Sequence, residues 1–488
     1  MLRALIDDTR SWSDADLARE SDQTRQLLDR LRCHRLATLL DNGVAFVILD
    51  ELAISEGLIH APLPLFFSAA QIRHALISAG IDTLIAAAPT LGSLGLKGFT
   101  PFTLAGQTLG ALKLNAAEDG LPFINAGTAR LTFTSGSTGE PKGVCLSADA
   151  MRRVASGIEQ ATSSLSIERH LCALPFAVLL ENIAGLMAPR QRGAVCVTVP
   201  LASLGLHGSS QFDPARFDQA VNIWQPNSII LLPQMLRAWA TYLHLNQKSA
   251  SNSLRLVAVG GARVGKPLLD RARSVGIPAF EGYGLSEASS VVSLNLPDAD
   301  RPGSAGRVLP HAQLRLANDG EALVQGGLFS GYLGMPSRSD NWWATGDVGS
   351  LDEDGYLWLQ GRKRNILMTG FGRNVSPEWV ETELCSEACI AQAVVLGEGE
   401  PHLSAVLWPT RASVEPAEVA NAVARCNERL PDYARIKRWV CADQAFDSAS
   451  GMATANGRPR RDAVASAHAQ ALGLRMPSIN ALEREETV

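Results

Sequence analysis

What the chain lacks narrows its chemistry before any motif is read. None of its eight cysteines (Cys33, Cys145, Cys172, Cys196, Cys385, Cys389, Cys426 and Cys441) stands in a CxxC pair, and none has a histidine at metal-ligand spacing. The reading that remains is buried, reduced thiols in a cytoplasmic protein. An excess of one charge is missing too. The net charge is −5 with both signs spread along the sequence, which leaves no footprint for nucleic acid. The longest apolar stretch, Leu171–Pro189, is cut by Glu181 and Asn182 and contains Pro175 and Pro189, so no transmembrane segment is expected. The first twenty residues carry charges every few positions and lack the apolar core of a signal peptide. Internal repeats and low-complexity tracts are absent as well. At 488 residues the chain exceeds one ordinary core, and two or three packed units are expected.

Strand-like apolar runs alternate with helical stretches through the first three quarters, which argues an α/β architecture. Val44–Asp50 and Thr83–Ala88 read as strands with a helix, Gln71–Ala79, between them. Ile229–Leu232 and Leu256–Val259 read as buried strands, and Lys266–Val275 as a crossover helix closed by Gly276. A basic knot, Gly361-Arg362-Lys363-Arg364, then marks a change of character. After it come a helix from Ser376-Pro377, a hairpin from Ala393 to Trp408 and a second helix near Glu415–Leu430. Ser376 suits an N-cap and Pro377 the first helical turn. The division falls at Lys363/Arg364, giving domains 1–363 and 364–488.

The most informative stretch is Leu131–Ser147, LTFTSGSTGEPKGVCLS. Its left flank alternates as a half-buried strand does, and Val144-Cys145-Leu146 reads as a second strand. Between them lie Gly136, Gly139 and Gly143, hydroxyls at Thr134, Ser135, Ser137 and Thr138, and Lys142. Glycines let backbone approach a ligand closely, and free N–H groups, hydroxyls and a lysine converge readily on phosphate oxygens. The Walker pattern GxxxxGK[ST] is absent, and strand rather than helix follows. This segment resembles the phosphate loop of the adenylate-forming superfamily, which includes acyl-CoA synthetases, luciferases and peptide-synthetase adenylation domains.

Three further blocks carry the same resemblance. Gly260-Gly261-Ala262 ends one strand without obstructing side chains, and Glu281-Gly282-Tyr283-Gly284-Leu285-Ser286-Glu287 ends the next. Strand ends are where ligands sit in open α/β sheets. The resemblance implies that Tyr283 stacks on adenine, Ser286 contacts the α-phosphate and Glu287, with Thr134, binds magnesium. Thr345-Gly346-Asp347 follows, and Asp347 can accept two hydrogen bonds from a ribose diol with Arg362 beside it. Glu321–Tyr332 matches a glycine-rich scaffold segment. On the acyl side, Leu174–Gly185 aligns with a stretch of long-chain fatty acyl-CoA synthetases in which Glu181 falls on a glutamate and Val178 replaces a histidine. With Gly260, and with Gly372 in the Thr369–Asn374 loop of the thiol channel, these residues form the expected substrate side.

One departure stands out. The family places a lysine in an NGKxxR-like motif near the C-terminus, and here that position is Arg458. An arginine keeps the charge in a rigid fork. The resemblance covers about Val44 to Arg461 and implies a large N-terminal α/β domain for ATP and acid, followed by a small mobile α+β lid hinged at Arg364. The implied reaction turns a small-molecule carboxylic acid, fatty or otherwise hydrophobic, into acyl-AMP using Mg·ATP. A thiol of CoA or of a phosphopantetheine then takes the acyl group. Lys142, magnesium at Glu287 and Thr134, and Arg458 supply the positive field. Two alternatives stay open: a ligase loading an aryl or medium-chain acid onto an acyl carrier protein, and a nucleotide-binding relative impaired in adenylation through Arg458. The sequence assigns no oligomeric state.

Overall fold

The computed structural model describes residues 5–114, 122–135, 141–208, 211–370, 373–447, 449–454 and 458–473. The chain divides into two compact units, Met1–Thr345 with Gly349–Leu359 and Gly346–Val348 with Gln360–Val488.

The large unit contains two wide sheets. In the first, Ala279–Leu285, Leu256–Val259, Ser228–Leu231, Arg169–Leu171, Val195–Val197 and Leu5–Ile6 lie side by side, all parallel. Antiparallel strands Ser290–Leu294, Arg307–Val308 and Ser11–Trp12 finish its edges. Strands buried on both faces need no polar positions, and SIIL and LVAV supply none inside the ladder beyond Ser228. The second sheet runs Gly331–Tyr332, Pro141–Ser147, Thr128–Ser135, Ile59–Pro62, Arg35–Leu39, Thr83–Ala87, Gln107–Lys113 and Thr100–Leu104. Helices cover the sheets; Pro214–Trp224, Pro233–Leu245 and Lys266–Ser274 pack Phe217, Trp239 and Leu269 into one core.

One expected strand is a helix. Val44–Ser55 is α-helical, and Val44–Leu49 are all buried with Asp50. A segment apolar on every side gives no period by which helix and strand can be told apart. The other expected elements are close to their expected limits. Helices cover Ala69–Ser78 and Lys266–Ser274, and strands cover Thr83–Ala87, Ser228–Leu231 and Leu256–Val259. Among the described residues no helix is long and apolar enough to cross a membrane.

The small unit is built on a three-stranded sheet. Ile390–Leu396 pairs antiparallel with Leu403–Pro409, which pairs in parallel with Ile436–Cys441. Helices Pro377–Cys385, Pro416–Arg429 and Arg461–Leu472 pack on it through Val380, Val419, Val423 and Val464. Ser376 caps the first of these, its hydroxyl accepting from Trp379 N.

Candidate active site

The hairpin Thr128–Ser135/Pro141–Ser147 forms because Leu131, Phe133, Val144 and Leu146 bury themselves on the sheet while Thr134 and Lys142 pair at its open end. Gly136, Ser137, Thr138 and Gly139 lie outside the described residues, as does the side chain of Ser135. Thr134 Oγ1 donates to Lys142 O at 3.4 Å. Lys142 is exposed, its Nζ 6.0 Å from the centre of the Tyr332 ring. The Tyr332 hydroxyl in turn donates to Glu287 Oε1 at 2.8 Å. Tyr332 gets there because Gly331–Tyr332 pairs with the hairpin's second strand, Tyr332 opposite Val144. Lys142 and Glu287 thus flank one phenol, and Thr134 adjoins Lys142 across the hairpin. Sequence reading placed Tyr332 in a scaffold segment; its signal was an aromatic at the end of a glycine-rich block.

The paired strand ends bring the second group together, Val259 opposite Glu281. Gly260, Gly261 and Ala262 leave the strand there, with Gly261 at φ +82°, a conformation that disfavours any side chain, and with Gly261 and Ala262 exposed. Gly284 is required by close approach, since a Cβ there would lie 1.5 Å from Ser290 O. Tyr283 beside it is half-buried against the cluster of Ala288, Val292 and Val324. Ser286 and Glu287 follow in a short 3-10 turn, Ser286–Ala288. Glu281 points inward. Its Oε1 accepts from Val264 N at 3.0 Å, its Oε2 is buried without a hydrogen-bond partner, and burial pushes its carboxyl up to about 7.

The acyl-side segment divides. Val178 is half-buried, whereas Glu181 is fully enclosed. Glu181 Oε1 lies 3.2 Å from His170 Nε2, and Oε2 accepts from Leu174 N at 3.2 Å. Burial raises its carboxyl, against the opposing pull of His170. The next residue, Asn182, donates from Nδ2 to Asp50 Oδ2 at 3.0 Å. Asp50 is also bonded to His60 Nδ1 at 2.8 Å and to Arg130. Sequence reading missed this network, whose trace was a charged residue inside each of three apolar runs.

In the small unit Asp347, buried, pairs with Arg362 at 2.7 Å. Arg458 is exposed and closes a turn in which Thr454 N donates to Arg458 O at 2.8 Å and Arg458 N to Thr454 Oγ1 at 3.2 Å. Arg461 anchors this segment, donating to Glu381 Oε1 at 2.7 Å. Burial pushes the Glu381 carboxyl up to about 7, with Arg461 pulling the other way. On the same helix, Glu378 Oε1 accepts from Asn365 Nδ2 at 2.5 Å. One helix end therefore holds both the residue after Arg364 and the segment bearing Arg458. Gly372 lies outside the described residues, between Thr369 and Arg373, which hydrogen-bond to each other.

The family described as AMP-binding enzyme matches residues 2–333, and the AMP-binding enzyme C-terminal domain matches residues 364–472. The chain is similar to a feruloyl-CoA synthase of Amycolatopsis sp., 31% identical over 86% of each chain. It is also similar to a long-chain-fatty-acid–CoA ligase of Mycobacterium tuberculosis, 26% identical over 93% of this chain and 91% of that one. Among solved structures, an anthranilate CoA ligase in complex with anthranoyl-AMP shares the fold with a TM-score of 0.79, at 20% identity over 97% of this chain and 95% of that one.

Proposed function

The chain belongs to the AMP-binding enzyme family, and we propose that it joins a hydrophobic carboxylic acid to a thiol through an acyl-AMP intermediate. The observation that carries this is Lys142 and Glu287 flanking Tyr332 at the open end of the glycine-rich hairpin, with Thr134 bonded across it to the Lys142 carbonyl. In the first step the acid's carboxylate oxygen attacks the α-phosphorus of ATP, and pyrophosphate leaves. In the second a thiolate attacks the acyl carbon and AMP leaves. Both partners of the first step are anions, so the reaction needs alignment and positive charge more than proton transfer. Lys142 and the loop hydroxyls hold the outer phosphates. Ser286 meets the α-phosphate, Tyr283 stacks the adenine, and Asp347 with Arg362 takes the ribose. Carboxylate and hydroxyl oxygens suit magnesium, so Glu287 and Thr134 would hold that ion, which would offset the charge of the triphosphate. Arg458 holds the reacting carboxylate.

The preference for a hydrophobic acid rests on Val178, an apolar side chain half-open at the start of its segment, and on relatives named for fatty, ferulic and succinylbenzoic acids. The 31% identity to a feruloyl-CoA synthase favours an aryl acid as the second reading. We take residues 364–488 as the lid, turning about Arg364 with Glu378 and Glu381 carrying the Arg458 segment along. The acceptor is CoA, with a carrier-protein phosphopantetheine as the other candidate, and the buried thiols fit a cytoplasmic setting. Acid-dependent ATP–pyrophosphate exchange across fatty and aryl acids tests the reading. Exchange with the hydrophobic acids supports it; binding of ATP without exchange for any acid leaves a nucleotide-binding protein impaired in adenylation and overturns it.

A further inference from the structure

The large unit gathers metal-ligating side chains at a point the adenylating residues do not use. His170, on Arg169–Leu171, stands opposite Cys196 on one neighbouring strand and Ser228 on the other. Cys172 follows two residues on, and Glu181 arrives from the start of the π-helical turn Glu181–Met187. One donor atom from each of His170, Cys172 and Glu181 lies within 4.8 Å of the other two. The Sγ atoms of Cys172 and Cys196 lie 3.7 and 3.8 Å from the same oxygen, Gly185 O. All four residues are 2% exposed or less. Gly185 keeps the space open: a Cβ there would sit 2.3 Å from Glu181 Oε1 and 2.8 Å from His170 Nε2.

We propose that His170, Cys172 and Glu181, with Cys196 as the fourth donor, form a structural site for a zinc ion in the core of the large unit. The donor set decides the metal. Imidazole and thiol select zinc over calcium or magnesium, which take oxygen ligands. Charge favours it as well. The two positive charges of the ion offset most of the charge on two thiolates and one carboxylate, which enclosure would otherwise make costly. Binding releases to solvent the protons of the Cys172 and Cys196 thiols, which ligate as thiolates. The orienting partner is already in place: Ser228 Oγ lies 2.8 Å from His170 Nδ1, which leaves Nε2 for the metal. Zinc bonds of about 2.0–2.3 Å set ligand atoms roughly 3.3–3.8 Å apart, so His170, Cys172 and Glu181 draw together by about 1.5 Å at most. The ion would tie two strands of the parallel sheet to the segment that begins at Val178.

The test is metal analysis of the full chain, expressed in zinc-supplemented medium and passed through chelator. About one zinc per chain is expected for the wild type and for Cys441→Ser, whose thiol is exposed, and under about a tenth for Cys172→Ser. Protein refolded with cobalt(II) in place of zinc should show thiolate-to-cobalt absorption, and this wild-type measurement stands even if Cys172→Ser fails to fold. Wild-type protein with under about a tenth of an equivalent of zinc overturns the proposal. So does a missing thiolate band, full zinc retention by Cys172→Ser, zinc lost with Cys441→Ser, or a Cys172–Cys196 disulfide where free thiols are expected.

Discussion

Each unit holds an aspartate–arginine pair, and the two are suited to opposite tasks. In the large unit Asp50 and Arg130 are sealed, with side chains 3% and 1% exposed. Burial alone would raise the Asp50 carboxyl, but Arg130 and His60 outweigh it and hold the carboxyl below the usual range. The groups around it come from four elements, the helix Val44–Ser55, the strands Ile59–Pro62 and Thr128–Ser135, and the π-helical turn. In the small unit Arg362 is one-third exposed beside Asp347. Only the Arg362 side of this pair meets solvent, so water weakens it more than the sealed one. Enclosure, more than the identity of the partners, separates an ion pair that serves the fold from one that serves binding.

The contrast is broken most directly at Asp50. Asp50→Asn leaves Arg130 charged and enclosed, and unfolding in denaturant should show a loss of about 3–5 kcal/mol. A loss under about 1 kcal/mol would mean that the enclosed pair is no more structural than the open one. At the opposite extreme, Arg458→Ala should leave stability alone and slow acyl-AMP formation by roughly a hundredfold. Thioester formation from pre-formed acyl-AMP should stay near wild type. Both half-reactions falling together would make Arg458 a structural residue.

Asp347→Ala sharpens the comparison from the ligand side. Losing hydrogen bonds to a charged group should weaken AMP binding by about 1.5–3 kcal/mol, tenfold or more by calorimetry. Unchanged binding would reduce Asp347 to a turn residue. The last effect is a slope in pH rather than a single loss, at Glu281, a buried carboxyl whose Oε2 has no hydrogen-bond partner. Its folded-state pKa of about 7 lies above the ordinary 4.5, so the folded state favours the protonated acid. The resulting stability is complete below the ordinary pKa and is lost as pH rises through about 7. Relative to Glu281→Gln, the wild type should lose about 1.4 kcal/mol per pH unit across that window. A difference that stays flat from pH 5 to 8 removes the assignment.

Much of this was legible in the letters, for identifiable reasons. The hairpin around Lys142 announces itself because its glycines, hydroxyls and lysine lie within one short stretch. The same holds for Gly260–Ala262 and for Glu281–Glu287. Helices with capping signals, such as that beginning after Ser376, were equally plain. Val44–Ser55 was misread because uniform burial erases periodicity. Tyr332, the Asp50 network and the Arg461–Glu381 contact escaped notice because their partners lie 45, 80 and 80 residues away. Sequence distance hides such contacts, and only the sheet registers and helix placements bring them together.

The thiols bear on the chemistry in another way. An acyl-adenylate is an electrophile, and any thiolate within reach would capture the acyl group before the proper acceptor arrives. Cys145, on the strand directly following the glycine-rich loop, is fully buried, and burial raises its pKa. Burial pushes Cys33 up to about 11 and Cys426 up to about 12. At neutral pH a thiol with a pKa of 11 is ionised in about one molecule in ten thousand, and the thiolate is the form that attacks. Burial thereby shields these three thiols from the reactive ester, which is left to the thiol that comes from outside.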